Sequence, residues 1–201
     1  MTTTADARIK KAGFYEPQRN LPQFEPRRGA ERRLVLQFAK AYRTKFFSLH
    51  RPSANDSIAI AREIPANGYG IADVVAVTWR SRQPGESVKA QAPAEFMARV
   101  KPTVRAFEVK LEDWRKALRQ ASRYRFFAHV PIAVLPADKS GPGLRNLAIF
   151  RALGVGLWTY DADTDRIVLH YTPRRSSPHD TRQHFRALRV VAKATKALPV
   201  A

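Results

Sequence analysis

The 201-residue sequence predicts an α/β fold, a mixed central β-sheet flanked by helices, and three observations predict it. Runs such as "DSIAIAREI", "IADVVAVTWR" and "PIAVLP" are rich in β-branched and apolar residues and have the length of strands. Other stretches repeat apolar residues every three or four positions, as an amphipathic helix does. The two kinds of segment alternate, and a strand followed by a helix and another strand needs a crossover that lays the strands parallel.

Residues 1–29, rich in Pro, Arg and Gln, read as a basic arm with little periodicity. Residues 30–173 read as the core, and residues 174–201 as a basic linker and a terminal helix packed on or beside it. Within the core, Leu34, Val35, Phe38, Ala39 and Tyr42 recur at helical spacing and predict the first helix. "DSIAIAREI" is the first strand, "NGYG" a turn, and "IADVVAVTWR" the second strand. A loop at Pro84 and Gly85 follows, and residues 87–104 fit either a loop or a short helix.

"VRAFEVK" is the third strand, and Leu111 to His129 a helix whose apolar stripe runs through Trp114, Ala117, Leu118, Ala121, Tyr124 and Phe127. "PIAVLP" is apolar throughout, as a strand covered on both faces would be. "GPGLRNLAIFRALG" predicts one helix stopped by Gly154. "VGLWTYD" and "RIVLHYT" then form a hairpin about the polar turn "DADTD". The segment "TRQHFRALRVVAKATKAL" closes the chain as a basic amphipathic helix with Phe185, Leu188, Val191, Ala192 and Leu198 inward.

Composition narrows the function. Lys and Arg number 36 against 17 Asp and Glu, a formal net charge of +19 that draws polyanions and weakens with salt. Nucleic acid is the expected partner, DNA first and RNA as the alternative. There is no cysteine, which excludes disulfides, thiolate zinc sites and cysteine nucleophiles. The start "MTTTADARIKKAGFYEPQ" lacks the apolar stretch of a secretion signal, and no run is long enough to span a membrane. A cytoplasmic protein is expected, nucleoid-associated in a bacterium. The five histidines show no paired metal spacing on one element, and no phosphate loop follows "GPG".

Three charged residues interrupt core strands. Asp73 lies among Ile71, Ala72, Val74 and Val75, and a carboxylate there must be paired, bound to a metal or at a sheet rim. In "AFEVK" the two-residue period sends Glu108 and Lys110 to one face and Phe107, Val109 and Leu111 to the other. If the two carboxylates converge, their hard oxygens suit Mg²⁺ or Mn²⁺. Lys110 would then orient or deprotonate the attacking water, or neutralise charge on a phosphate.

Asp73, then Glu108-x-Lys110 at the end of a strand and before a helix, resembles the PD-(D/E)xK nuclease superfamily over about Glu31 to Asp161. The resemblance implies a restriction-endonuclease-like fold and metal-dependent hydrolysis of DNA phosphodiester bonds. It implies Asp73 and Glu108 as ligands of Mg²⁺ or Mn²⁺ and Lys110 as the catalytic lysine. Members often carry a glutamate in the first helix, where Glu31 stands, and a glutamine four residues before an aromatic, as Gln120 and Tyr124 are placed. Glu31 is thus a further candidate ligand and Gln120 a supporting catalytic residue. Ala72 stands where many members have proline. Dimers are common in the family, so a homodimer, or a subunit of a larger nucleoprotein complex, fits it.

Each residue also has a plainer reading. Asp73 would cap a loop, Glu108 and Lys110 would form a same-face ion pair, and Glu31 would complement a helix dipole. Tyr124 and Trp158 read as core, and Trp79 as an aromatic plug at the sheet rim. Arg32 and Arg33 on the first helix, Lys116, Arg119 and Arg123 on the second, and Arg174 and Arg175 near the end together could line a groove for a nucleic-acid backbone. Two rivals to the nuclease remain: a catalytically silent nucleic-acid-binding or assembly subunit on the same fold, and a basic RNA-binding protein of ribosomal type.

Overall fold

The computed structural model describes residues 14–15, 29–50, 56–66, 68–80 and 101–195. Seven strands form one mixed sheet whose spatial order follows the chain: β1 Phe14–Tyr15, β2 Asp56–Ala66, β3 Gly70–Arg80, β4 Thr103–Val109, β5 Val130–Pro136, β6 Gly156–Asp161 and β7 Arg166–Tyr171. β1 lies parallel to β2, and β2, β3 and β4 form an antiparallel meander. β4, β5 and β6 are parallel, and β7 returns antiparallel. The helices are α1 Gly29–His50, α2 Trp114–Arg123, α3 Gly141–Arg145, α4 Leu147–Leu153 and α5 Thr181–Thr195. The predicted α/β class is therefore present. The loop at Pro84 and Gly85, most of segment 87–104, Leu198 and the arm apart from Phe14, Tyr15 and Gly29 lie outside the described residues. No described helix is long and apolar enough to cross a membrane.

Strand alternation divides the core in two. Ile58, Ile60, Val74, Ala76, Phe107, Val109, Ile132, Val134 and Trp158 pack against Leu34, Val35, Phe38, Tyr42 and Phe46 of α1. Rings fill this layer, with Tyr42 and Phe107 centroids 4.8 Å apart and Phe107 and Trp158 5.4 Å apart in edge contact. On the opposite face the strands present small residues, among them Ala59, Ala61, Ala106 and Ala133, which let α2 and α5 approach closely. All seven residues of β5 are buried, as its unbroken apolar run predicted.

Two predicted helices end elsewhere. The helix read as Leu111 to His129 is α2, Trp114–Arg123, followed by one 3₁₀ turn over Tyr124–Phe126. Asp113 starts it, since its side chain accepts the Lys116 N–H. The chain must leave helical geometry by Phe127 so that His129 N–H can reach Val104 O and begin the parallel pairing of β5. The helix predicted over residues 141–154 is two, α3 and α4, parted at Asn146, whose side chain donates to Pro142 O. A side chain that competes for backbone partners favours such breaks. Gly154 does end α4, in the left-handed conformation (φ 63°) that glycine adopts without strain.

The C-terminal segment clasps the chain between α2 and β5. Ser176 N–H donates to His129 O, His179 N–H to Arg125 O and Asp180 N–H to Phe126 O. Asp180 then caps α5 by accepting the Arg182 and Gln183 N–H groups. The inward stripe of α5 holds His184, Ala187, Leu188, Val191 and Ala192; Phe185, predicted inward, is only half-buried. His184 faces His129, with ring centroids 4.7 Å apart. Val104 N–H donates to His129 Nδ1, and Arg175 Nη2 approaches Nε2 at 3.1 Å. A neutral imidazole has one lone pair, so it accepts from only one of the two.

Burial, with the His184 and Arg175 charges, pushes the His129 pKa down to about 3, and burial lowers that of His184. The folded state therefore disfavours the imidazolium, while an unfolded histidine takes up its proton near pH 6.5. The contribution of the pair to stability is complete above about pH 6.5 and is lost as the pH falls from there. The urea midpoint should drop between about pH 6.5 and 4.5. His129→Leu should begin with a lower midpoint at neutral pH and show a shallower drop, whereas an acid slope equal to wild type would refute the assignment.

Candidate active site

The charged strand residues meet where the β2–β3–β4 meander opens. The β3–β4 ladder ends at the pair Val74 and Phe107. One step further, Asp73 takes over from the backbone, its Oδ2 accepting the Val109 N–H at 2.8 Å. On the other side the β2–β3 pairing runs from Arg62 and Val74 to Ile64 and Ala72 and passes over Glu63, whose φ is 53°. A non-glycine residue in the left-handed region is uncommon and strained. Asp73 thus sits where both of its strand's ladders are interrupted.

Glu108 is 1% exposed and Asp73 is fully buried. Phe107 and Val109 face α1, and Glu108 faces α2, as the alternation of "AFEVK" required. Both oxygens of Glu108 are engaged. Lys110 Nζ lies 2.8 Å from Oε1, and the Tyr124 hydroxyl donates to Oε2. The hydroxyl oxygen is also 2.9 Å from Ile71 O, and its single proton serves one of the two acceptors at a time. The same Lys110 Nζ lies 2.8 Å from Oε1 of Glu31, in the first turn of α1.

Burial works against the Lys110 ammonium. The charges of Glu108 and Asp73 and the hydrogen bonds to Glu108 and Glu31 outweigh it, so its pKa lies above the usual lysine value. Asp73, Glu108, Lys110 and Glu31, separated by up to 79 positions in the sequence, therefore form one network. Gln120 lies one turn before Tyr124 on the same side of α2. Its Oε1 is buried without a hydrogen-bond partner among the described residues.

The basic candidates are distributed around this network. Arg32 and Arg33 are exposed beside Glu31. Lys116, Arg119 and Arg123 are exposed at helical spacing along α2, and Arg174 is exposed in the linker. Arg175 is exposed as well, and its Nη2 contacts Pro102 O and His129, so part of its donor capacity serves the fold. Trp79 is buried at the end of β3, and Trp158 is fully buried.

Sequence reasoning placed Tyr124 in the core and missed its hydroxyl. The available signal was that a buried tyrosine hydroxyl needs a partner, and Glu108 lay on the facing strand. Nothing in the sequence pointed to the kink at Glu63.

Two buried carboxylates and an amide oxygen without a partner are hard donors of the kind Mg²⁺ or Mn²⁺ takes. Among the described residues, no group of three or more His, Asp or Glu side chains is disposed to hold a metal ion. An ion held by so few protein donors would have to keep several waters, as Mg²⁺ does. Compared with known protein families and with curated proteins, the chain matches none.

Asp73 has a structural duty separable from any chemistry. Asp73→Ala would leave the buried Val109 N–H without its acceptor and should lower stability by about 1–3 kcal/mol. Asp73→Asn keeps a carbonyl oxygen for that bond and should lose clearly less. Urea denaturation of the two variants measures the difference, and equal losses would show that the bond does not hold β3 to β4.

Proposed function

We propose that this chain is a metal-dependent nuclease that hydrolyses DNA phosphodiester bonds, on a restriction-endonuclease-like fold. The observation that carries the reading is the convergence of Asp73, Glu108 and Lys110 at one broken end of the β3–β4 ladder, with Lys110 Nζ 2.8 Å from Glu108 and Val109 N–H 2.8 Å from Asp73. The reading is supported by the position of Glu108 and Lys110 at the end of β4 and before α2, in a sheet where β2–β3–β4 are antiparallel and β5 is the parallel partner of β4. The bond from Val109 N–H accounts for one oxygen of Asp73, and the nuclease reading accounts for a second carboxylate beside Glu108 as well.

Asp73 and Glu108 would hold Mg²⁺ or Mn²⁺, and Gln120, whose buried Oε1 has no hydrogen-bond partner among the described residues, is the candidate to accept from a bound water. Such an ion supplies Lewis-acid polarisation of a phosphate and lowers the pKa of a water. Lys110, held as an ammonium by its carboxylate partners, has protons to donate and none to accept. Its part would be to hydrogen-bond a phosphate oxygen and offset developing charge, or to orient or deprotonate the water once the ion has taken its place on Glu108. The exposed Arg32, Arg33, Lys116, Arg119, Arg123 and Arg174 would capture the backbone without reading sequence. Their positions also admit RNA, and a homodimer or a larger nucleoprotein complex would extend the basic surface.

The rival reading is a silent binding or assembly subunit. It is favoured by the engagement of both Glu108 oxygens within the protein.

Cleavage of supercoiled plasmid and of labelled single strands separates the two. Wild type should cut with Mg²⁺ or Mn²⁺ and not with EDTA. Glu108→Ala and Lys110→Ala should each cut at least about a hundred-fold more slowly while still binding DNA. Binding that weakens with salt, without cutting under any of these metals and substrates, would leave the silent subunit standing.

A further inference from the structure

Lys110 is a cation already seated on the carboxylate that a metal ion would use. Its Nζ contacts Glu108 Oε1 and Glu31 Oε1, both at 2.8 Å, and its side chain is only 9% exposed. The other Glu108 oxygen accepts from Tyr124, a neutral donor fixed by its place in the core. A divalent ion binding through Glu108 comes close to Nζ whichever oxygen it takes, and two cations in one buried site repel strongly. The two anchors of Nζ are unequal. The Glu108 side chain is 1% exposed and that of Glu31 is 21% exposed, so the outer anchor is the one the ammonium can keep.

We propose that Lys110 is the resident counter-ion of this site and that a divalent ion loads by displacing its Nζ from Glu108 while Glu31 retains it. The inference rests on the nuclease reading, because it takes Glu108 as a ligand. Glu31 becomes a positioning residue, the outer tether of the ammonium, and not a ligand of the ion. Loading then also delivers Lys110: the ammonium released from Glu108 stays at the mouth of the site, where a phosphate oxygen can take the place of the lost carboxylate. With the ion loaded, Asp73 and Glu108 offset its two charges and Glu31 offsets the ammonium, whereas an ion added without the exchange would crowd two cations onto one carboxylate.

Lysine acylation of the full chain, mapped by mass spectrometry with and without Mn²⁺, tests this on wild-type protein, with the exposed Lys116 as internal standard. Mn²⁺ binding is followed in parallel by electron paramagnetic resonance for wild type, Lys110→Gln and Glu31→Gln. At saturation, labelling of Lys110 relative to Lys116 should rise several-fold, and further in Glu31→Gln, where the tether is gone. Lys110→Gln should bind Mn²⁺ at least about ten-fold more tightly than wild type, a difference of about 1.4 kcal/mol. Bound Mn²⁺ with Lys110 labelling unchanged or reduced overturns the displacement while leaving the nuclease reading intact, as does equal affinity in a folded Lys110→Gln. Absence of Mn²⁺ binding in both wild type and Lys110→Gln would sink the inference and the nuclease reading together.

Discussion

Two carboxylates buried in the middle of a β-sheet set the terms for everything around them. An ionised carboxylate without compensation is too costly to keep in a core, so the surroundings must supply positive charge and donors. Glu108 receives the Lys110 ammonium and the Tyr124 hydroxyl, and Asp73 receives the Val109 N–H. Each donor fixes an element. Lys110 must follow β4 immediately, Tyr124 must close α2 over the site, and the first turn of α1 must bring Glu31 to the far side of the ammonium. The network is thus the joint at which the two layers of helices meet the sheet's carboxylate end. Taking away any one partner leaves a buried charge or donor behind, which costs more than the pair itself contributes.

The sheet accommodates the network by giving up regular pairing locally. At Asp73 the ladder to β4 is replaced by a side-chain bond, and the ladder to β2 passes over Glu63 in a strained conformation. Such strain persists only when the surroundings enforce it, and here the β2–β3 pairs on either side of the kink, Arg62 with Val74 and Ile64 with Ala72, do so. The interruption has a use. A continuous ladder would fill the backbone groups around Asp73 and leave its carboxylate no part in the sheet, whereas the break directs it to the neighbouring strand beside Glu108.

Most of the strands were legible because burial on one or both faces writes itself into the residue period. The alternation in "AFEVK" predicted that Glu108 would face away from Phe107 and Val109, and the seven apolar residues of β5 predicted a strand covered on both sides. Helix ends were less legible. They depend on competitions decided by tertiary partners: Asn146 bonding Pro142 O instead of continuing a helix, and the chain after Tyr124 unwinding to pair His129 with Val104. The candidate site was half legible. Charged residues inside apolar strands identified Asp73, Glu108 and Lys110, but sequence carries no sign of which atoms touch. The Tyr124 hydroxyl contact, the tether to Glu31 and the contact of Arg175 with His129 all follow from long-range packing.

The same distinction separates two kinds of charge in the molecule. The sequence carries a surplus of +19, and among the described residues exposed side chains such as Arg32, Arg33, Lys116, Arg119 and Arg123 contribute to it and act through water. Salt at physiological strength screens such charges beyond about 8 Å. The Lys110 network is buried and held by direct contacts of 2.8 Å, so mobile ions barely reach it. Attraction of a polyanion and the arrangement of the site are therefore set by independent physical terms. A change in ionic strength alters how often a nucleic acid arrives without altering what it meets. The separation allows a strongly basic surface to coexist with a small buried network of mixed charge: the surface repels itself and is tolerated because water and salt weaken that repulsion, while the interior, which neither can relieve, must meet each charged group with a direct partner.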